Sequence, residues 1–193
     1  MKPTLHRREV VKLLLENRKD LLVVAGLGST AWDITAAGDS PLSFPTWGAM
    51  GQAAMIGLGL ALAQPRRRVL VVTGDGEMLM GLGALATIGV QRPSNLTLVV
   101  IDNERYGETG MQDTHTAHDV DIAAMARACG FKTSNVIRTK AAVAKLRSAI
   151  HGKSGPNFAL VKVLAEKLPL VLPPHDGVLL KERWRRALLG ESS

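Results

Sequence analysis

A single cysteine, Cys129, is all that the 193 residues contain. One thiol cannot form an internal disulfide, a cysteine-rich zinc site or a protein-bound iron–sulfur cluster. Close to a helix end, it reads as a small buried hydrophobe. Aromatic residues are scarce too, at 4%, and no RNA- or DNA-reading motif accompanies the net charge of +7. The basic residues fall in short clusters ("HRR", "PRRR", "KERWRR"), which argues against nucleic acid and leaves an anionic cofactor or substrate, or an acidic companion subunit, as the partner. No apolar run approaches the roughly 18 residues that a membrane span needs. The N-terminal "MKPTLHRREVVKLLLEN" is charged and amphipathic, without the apolar core of a signal peptide, so a cytoplasmic protein is expected. Internal repeats and low-complexity tracts are absent.

What is present is patterned. With 46% hydrophobic residues, the chain can build one compact core of ordinary domain size. Apolar β-type runs occur at Leu21–Gly26, Val69–Gly74, Leu96–Asn103 and Asn157–Leu164, with weaker candidates near Leu42 and Val136. Helical segments separate them. Val143, Leu146 and Ile150 share one face of a helix over Lys140–His151, and another helix starts at Asp119 or Asp121 and stops before Gly130. Continuous apolar strands alternating with helices predict an α/β fold, a doubly wound, mostly parallel sheet covered on both faces. The binding domain is expected over residues 1–167, with 168–193 forming a Pro-rich linker ("LPLVLPPHDG") and a C-terminal basic helix, Val178–Leu189.

In such sheets, ligands bind outside the carboxyl ends of the strands, where helix N-termini offer unpaired N–H groups to anions. The run "VLVVTGDGEMLMGLGALATIGV" ends its strand at Gly74-Asp75-Gly76. The glycines predict a sharp turn with close ligand approach, the helix expected from about Glu77 would face a phosphate, and Asp75 would hold a cation. "LTLVVIDN" ends in Asp102-Asn103. If the two strands are parallel neighbours, about 4.8 Å apart, Asp75 and Asn103 meet around one hard cation. Mg²⁺ accepts few carboxylates and fills its octahedron with neutral, phosphate and water oxygens. Taken singly, Asp75 and Asn103 also fit ordinary turn residues.

Gly-Asp-Gly, then 26 intervening residues and Asn103, resembles the signature of thiamine-diphosphate enzymes. The resemblance implies that Mg²⁺ is coordinated by Asp75, the Asn103 side chain and the Arg105 carbonyl. The usual Asn-Asn pair is Asp102-Asn103 here, and Glu77 must turn its side chain away while offering its backbone N–H. In "TWGAMGQAAMIGLGLALA", the resemblance places the Gly48 carbonyl toward the aminopyrimidine, and Met50 as the wedge that bends the cofactor and brings its own amino group beside the reacting carbon. The stretches "GAMGQAAMIGLGLAL", "GDGEMLMGLGALATIGV", "IDNERYGETGMQDTHT" and "ACGF", from about Ser43 to Phe131, are similar to the diphosphate-binding (β) subunits of 2-oxo acid decarboxylases of the sulfopyruvate and phosphonopyruvate type.

That resemblance implies non-oxidative decarboxylation of an anionic 2-oxo acid to an aldehyde and CO₂. It also implies an α subunit, carrying a pyrimidine-binding domain and its activating glutamate, in an α₂β₂ or larger assembly. The Gly48–Ala63 segment and an apolar helix over Met78–Val90 are expected to contribute to subunit contacts. Arg105, His115 and His118 are the candidates for binding the substrate's second anionic group. Glu108 and Thr109, with His115, are the candidates for contact with the reacting atoms. "VVAGLGSTA" (Val23–Ala31) fits a dinucleotide fingerprint but lacks the acid after the next strand. "GKSG" (Gly152–Gly155) resembles a phosphate-loop tail, but Arg147 stands where the leading glycine belongs. The β subunit of a 2-oxo acid–ferredoxin oxidoreductase needs more cysteine. A regulatory subunit of the same fold, or the β subunit of another thiamine-diphosphate enzyme, is the alternative.

Overall fold

The computed structural model describes residues 3–152 and 154–190. Lys153, inside the Gly152–Gly155 stretch, and the extreme ends of the expected N- and C-terminal segments lie outside the described residues. The strands are β1 (Leu22–Ala25), β2 (Ser43–Pro45), β3 (Val69–Gly74), β4 (Leu96–Asp102), β5 (Arg105–Tyr106), β6 (Gln112–Asp113), β7 (Thr133–Ile137) and β8 (Asn157–Lys162). The α-helices are α1 (Arg7–Leu15), α2 (Ser29–Ala36), α3 (Ala53–Ala63), α4 (Asp75–Met80), α5 (Ala84–Gln91), α6 (Ile122–Ala128), α7 (Lys140–Ile150) and α8 (Gly177–Leu189). Six strands form one parallel sheet in the order β2-β1-β3-β4-β8-β7, and β5 and β6 make a separate antiparallel hairpin.

Alternation along each strand feeds two cores. Leu70 and Val72 of β3, with Val99 and Ile101 of β4, pack beneath α1, α2 and α7. Val69, Val71, Leu96, Leu98 and Val100 face α3, α5 and α6. Both faces of the sheet are therefore covered, which is why the strands read as unbroken apolar runs. Each fully buried Val, Leu or Ile contributes roughly 1.5–3 kcal/mol. The helix signals work as expected at α6 and α7, where Asp121 and Thr139 accept hydrogen bonds from the Ala124 and Ala142 N–H groups at 2.8 and 3.2 Å.

Three expectations need correction. The helix after β3 begins at Asp75, two residues before Glu77. The Met78–Val90 segment is two helices, α4 and α5, interrupted at Gly81–Gly83. The break is forced by packing: a Cβ on Gly81 would stand 1.9 Å from the Gly51 carbonyl oxygen, so the chain turns where two backbones meet. Cys129 caps α6, half-buried rather than enclosed, with its carbonyl 1.7 Å from where a Cβ on Gly89 would lie.

Residues 163–176 have no regular secondary structure, and α8 then docks on the β2 edge. Leu180 is buried there, Trp184 lies against Phe44 with ring centroids 5.6 Å apart, and Arg183 makes two hydrogen bonds to Asp39, at 2.6 and 2.8 Å. Among the described residues, no helix is long and apolar enough to cross a membrane.

The chain runs from β1 outward to β2, then returns past β1 to β3 and β4. The order of the sheet reverses between β1 and β3, which in open α/β sheets is where a crevice opens outside the carboxyl ends.

Candidate active site

A cleft open to solvent lies at those carboxyl ends. Gly74, Asp75, Asn103 and Arg105 line it, as do Met50, Glu77, Glu108 and Thr109. The strands β3 and β4 are parallel neighbours, with Gly74 opposite Ile101, so Asp75 and Asp102-Asn103 emerge side by side. Asp75 is only 2% exposed. Its Oδ2 accepts hydrogen bonds from the hydroxyls of Thr114 at 2.5 Å and Thr116 at 3.3 Å. Burial, and then the nearby Asp102 charge, push the Asp75 carboxyl up to about 6, although the two threonine hydroxyls favour the anion.

The chain after β4 curls back through two overlapping turns. Asp102 Oδ1 accepts the Glu104 N–H at 3.0 Å, and Asn103 Oδ1 accepts the Arg105 N–H at 2.9 Å, while Glu104 sits in the left-handed region at φ 62°. The hairpin β5–β6 follows, and a 3₁₀ turn, His115–His118, returns Thr114 and Thr116 beneath Asp75. Asp102 is wholly buried. It accepts from Thr116 at 2.9 Å and pairs with Lys162 Nζ at 2.8 Å, and that ammonium also reaches Glu104 at 2.6 Å. Burial lowers the Lys162 pKa, but its bonds to Asp102 and Glu104 outweigh this and hold it above the ordinary value.

The two glycines around Asp75 serve space rather than a special dihedral. Gly74 is extended, at φ −87° and ψ 162°, and a Cβ there would meet nothing within 4 Å, so its bare face opens on the cleft. A Cβ on Gly76 would strike Tyr106 at 2.6 Å, so this residue makes room for the hairpin. Glu77 turns its carboxylate into the seam beside Gly26, where Thr73 donates to Oε2 at 2.6 Å. Burial raises the Glu77 pKa, opposed by Thr73 and by the backbone N–H groups of Leu27, Gly51 and Ala53.

Gly48 is open on its Cβ side. Met50, 59% exposed, stands at the lip of the cleft rather than in the core, on a turn whose neighbours Ala49 and Gly51 both have left-handed φ, 56° and 80°. That conformation costs an alanine roughly 1–2 kcal/mol. It is held by the contact of Gly51 with Gly81.

The structure brings Glu108, Thr109 and Arg105 to the cleft, but not the two histidines. The Glu108 carboxylate lies against Gly28, where a Cβ would meet it at 2.5 Å. Arg105 reaches the cleft wall, but its guanidinium pairs with Asp113 at 2.8 Å. His115 and His118 are exposed and do not line the cleft, because in the 3₁₀ turn residues three apart share a face, and that face is turned to solvent while Thr116 is buried. His115 Nδ1 lies 3.4 Å from the Tyr106 hydroxyl, and His118 lies 3.8 Å from Asp113. Sequence reasoning missed Thr114, Thr116 and Lys162, and also Arg7. Arg7 is buried in the cleft wall and donates to Asp33 at 2.6 Å and to the Ser29 carbonyl at 3.2 Å. An arginine in the otherwise apolar face of a helix was the available signal.

Residues 28–163 match the family model of the thiamine pyrophosphate enzyme C-terminal TPP-binding domain. The chain is 42% identical over 186 residues to a protein named sulfopyruvate decarboxylase subunit beta from Methanothermobacter thermautotrophicus, covering 96% of this chain and 97% of that one. It is 44% identical over 121 residues to a phosphonopyruvate decarboxylase from Streptomyces viridochromogenes, covering 63% of this chain and 30% of that protein. Among solved structures, benzoylformate decarboxylase from Polynucleobacter necessarius superposes with a TM-score of 0.71 at 21% identity, over 86% of this chain and 34% of that one, which bears on the fold alone. With the family match spanning most of the sheet and both strand tips, the chain belongs to the thiamine pyrophosphate enzymes, carrying their C-terminal TPP-binding domain.

Proposed function

We propose that this chain is the diphosphate-binding subunit of a heteromeric thiamine-diphosphate-dependent decarboxylase. Its substrate is an anionic 2-oxo acid such as 3-sulfopyruvate or phosphonopyruvate, released as the aldehyde and CO₂. The observation that carries the reading is the pairing of Asp75 with Asn103 at adjacent strand tips, in a chain that aligns over 96% of its length with a decarboxylase β subunit. The binding domain is proposed to span residues 1–167, with 168–193 as an appended linker and helix. The cytoplasm is the proposed compartment.

The residues fit the cofactor. A buried carboxylate, a side-chain amide oxygen and a backbone carbonyl suit a hard cation that takes its remaining ligands from diphosphate and water. Among the described residues, no group of three or more His, Cys, Asp or Glu side chains could hold a metal instead. Asp75, Asn103 and the Arg105 carbonyl would hold Mg²⁺, and the open faces of Gly74 and Gly48 leave room for the organic group. Gly76 and the Glu77 backbone N–H complete the diphosphate wall. When bound, thiamine diphosphate supplies the nucleophilic carbon and the electron sink for loss of CO₂.

The chain's own residues bind and orient. Met50 supports the cofactor from the lip of the cleft. Arg105 can exchange Asp113 for a substrate oxyanion, for which its planar fork is suited, and Glu108 and Thr109 stand on the same wall. The activating glutamate is assigned to a partner α subunit with a pyrimidine-binding domain, in an α₂β₂ or larger assembly. The exposed Met50, Met80, Leu62 and Val90 give that partner an apolar surface.

The test is reconstitution with a pyrimidine-domain partner, with CO₂ release measured from sulfopyruvate, phosphonopyruvate and pyruvate. The complex is expected to prefer a doubly anionic acid, the isolated chain to be inactive, and Asp75→Ala to lose cofactor binding while keeping its fold. Robust decarboxylation by the isolated chain, or unchanged cofactor affinity in Asp75→Ala, overturns the reading.

A further inference from the structure

Lys162 closes β8, the strand "NFALVK", all of whose positions are buried. A lysine left in such a place without a partner is costly, because removal of the ammonium from water must be offset by close anions. The register supplies one: Lys162 lies opposite Asp102, the residue immediately before Asn103. The Nζ sits 2.8 Å from Asp102 Oδ2 and 2.6 Å from Glu104 Oε1. Both anions flank Asn103, and each also takes part in shaping the loop. The Asp102 carboxylate accepts the Glu104 N–H, the Asn103 side chain accepts the Arg105 N–H, and the Glu104 carbonyl accepts the Thr114 N–H at 3.0 Å.

The position of Asp102 is what makes a cation necessary. Thr116 donates to Asp102 at 2.9 Å and to Asp75 at 3.3 Å, so a single hydroxyl lies between two buried carboxylates. An asparagine at position 102 could accept the same Glu104 N–H without adding a second negative charge beside Asp75. The aspartate requires a counter-ion from a neighbouring strand. Glu104 holds a left-handed backbone that residues with a Cβ seldom adopt, and its side-chain bond to Lys162 ties that strained residue to the sheet.

We infer that Lys162 is a positioning residue for the Asn103–Arg105 segment. By clamping Asp102 and Glu104 on either side of Asn103, it fixes the turn that presents the Asn103 and Arg105 oxygens to a divalent cation, without touching cation or cofactor itself. The inference rests on the reading of Asp75, Asn103 and Arg105 as the Mg²⁺ site. Partners of metal ligands of this kind typically govern about 10- to 100-fold in metal affinity.

The experiment is a calorimetric Mg²⁺ titration of the reconstituted complex at saturating thiamine diphosphate, for wild type, Lys162→Met, Asp102→Asn and the double variant, with the melting temperature of each read without cofactor. Lys162→Met is expected to weaken Mg²⁺ binding about 10- to 100-fold. Adding Asp102→Asn is expected to restore most of that loss, because the neutral pair needs no counter-ion. A Lys162→Met complex with wild-type Mg²⁺ affinity, or a double variant as weak as the two single losses combined, overturns the inference. If Lys162→Met does not fold, Glu104→Ala, which removes one arm of the clamp while leaving the buried Asp102–Lys162 pair in place, carries the test: Mg²⁺ binding weakened by about 10-fold supports the clamp, and wild-type affinity overturns it. A wild-type complex that binds no Mg²⁺–thiamine diphosphate, or an Asp75→Ala complex that binds it normally, fails the cofactor reading instead.

Discussion

Strands β3, β4 and β8 have one chemistry along their length and the opposite chemistry at their ends. Leu70, Val71 and Val72 of β3, and Leu98, Val99 and Val100 of β4, are apolar and essentially inaccessible. One to three residues further on, Asp75, Asp102 and Lys162 are almost as buried but ionisable, at 2%, 0% and 8% exposure. Burial of a Val or Leu is favourable by itself. Burial of a carboxylate is unfavourable until a partner arrives. The interior of the sheet therefore stabilises the fold, whereas the tips are held in place by it, and the two regions should respond in opposite ways to substitution.

The largest expected effect breaks the interior. Leu98 is fully buried between β3 and β8 and faces the α3, α5 and α6 layer. Leu98→Ala should cost about 2–5 kcal/mol, the range for a truncated core leucine that leaves a cavity. Chemical denaturation measures the loss. Calorimetry on the fraction that remains folded should return an unchanged affinity for thiamine diphosphate, because the strand tips are anchored by neighbours on both sides. A parallel fall in affinity at full folding would show that the interior and the tips are not separable.

The opposite sign is expected at the tip. The Asp75 carboxyl lies near 6 in the fold against an ordinary value of 3.8, chiefly through burial and then through Asp102. Because the folded value is raised, the unfolded chain gives up its proton first. The stability linked to the neutral form is complete below about 3.8 and lost as the pH rises through about 6. A displacement of about two units corresponds to a penalty on the order of 3 kcal/mol at neutral pH. Asp75→Asn should therefore raise the melting temperature of the cofactor-free chain at pH 7, lose that advantage near pH 4, and fail to bind Mg²⁺. Thermal melts at the two pH values check it, and a destabilised Asp75→Asn chain at pH 7 would mean that Asp75 is not strained by its surroundings.

The same contrast decides what could be read from the sequence. Strand interiors are legible because burial on both faces leaves an unbroken apolar run, and β3 spans Val69–Gly74 as expected. The juxtaposition of Asp75 with Asn103 was legible because consecutive strands separated by a helix pair in parallel, which sets their tips together. Thr114, Thr116 and Lys162 were not. Their partners lie 39, 41 and 58 residues away along the chain, for the pairs Thr114–Asp75, Thr116–Asp75 and Lys162–Glu104, and no periodicity encodes a contact made through the third dimension. The break in Met78–Val90 escaped for a similar reason. A Gly-Leu-Gly inside a helical pattern is tolerable until the backbone of Gly51 arrives against it.

The smallest expected effect sharpens the comparison by holding residue type constant. Thr139 follows β7 at the far edge of the sheet, as Thr114 and Thr116 follow the hairpin near the centre. Its hydroxyl accepts the Ala142 N–H at 3.2 Å and so caps α7, satisfying a backbone donor that the helix itself leaves open. The Thr114 and Thr116 hydroxyls instead donate to the Asp75 carboxylate. A threonine whose hydroxyl serves the backbone should matter to folding alone. Thr139→Ala is thus expected to lower stability by about 1 kcal/mol, the usual worth of an N-cap, with no change in Mg²⁺ or thiamine diphosphate affinity. Denaturation and calorimetry on the same preparation separate the two quantities. A loss of cofactor affinity in Thr139→Ala would couple the outer edge of the sheet to the cleft, and the division between stabilising interior and supported tip would then have to be drawn elsewhere.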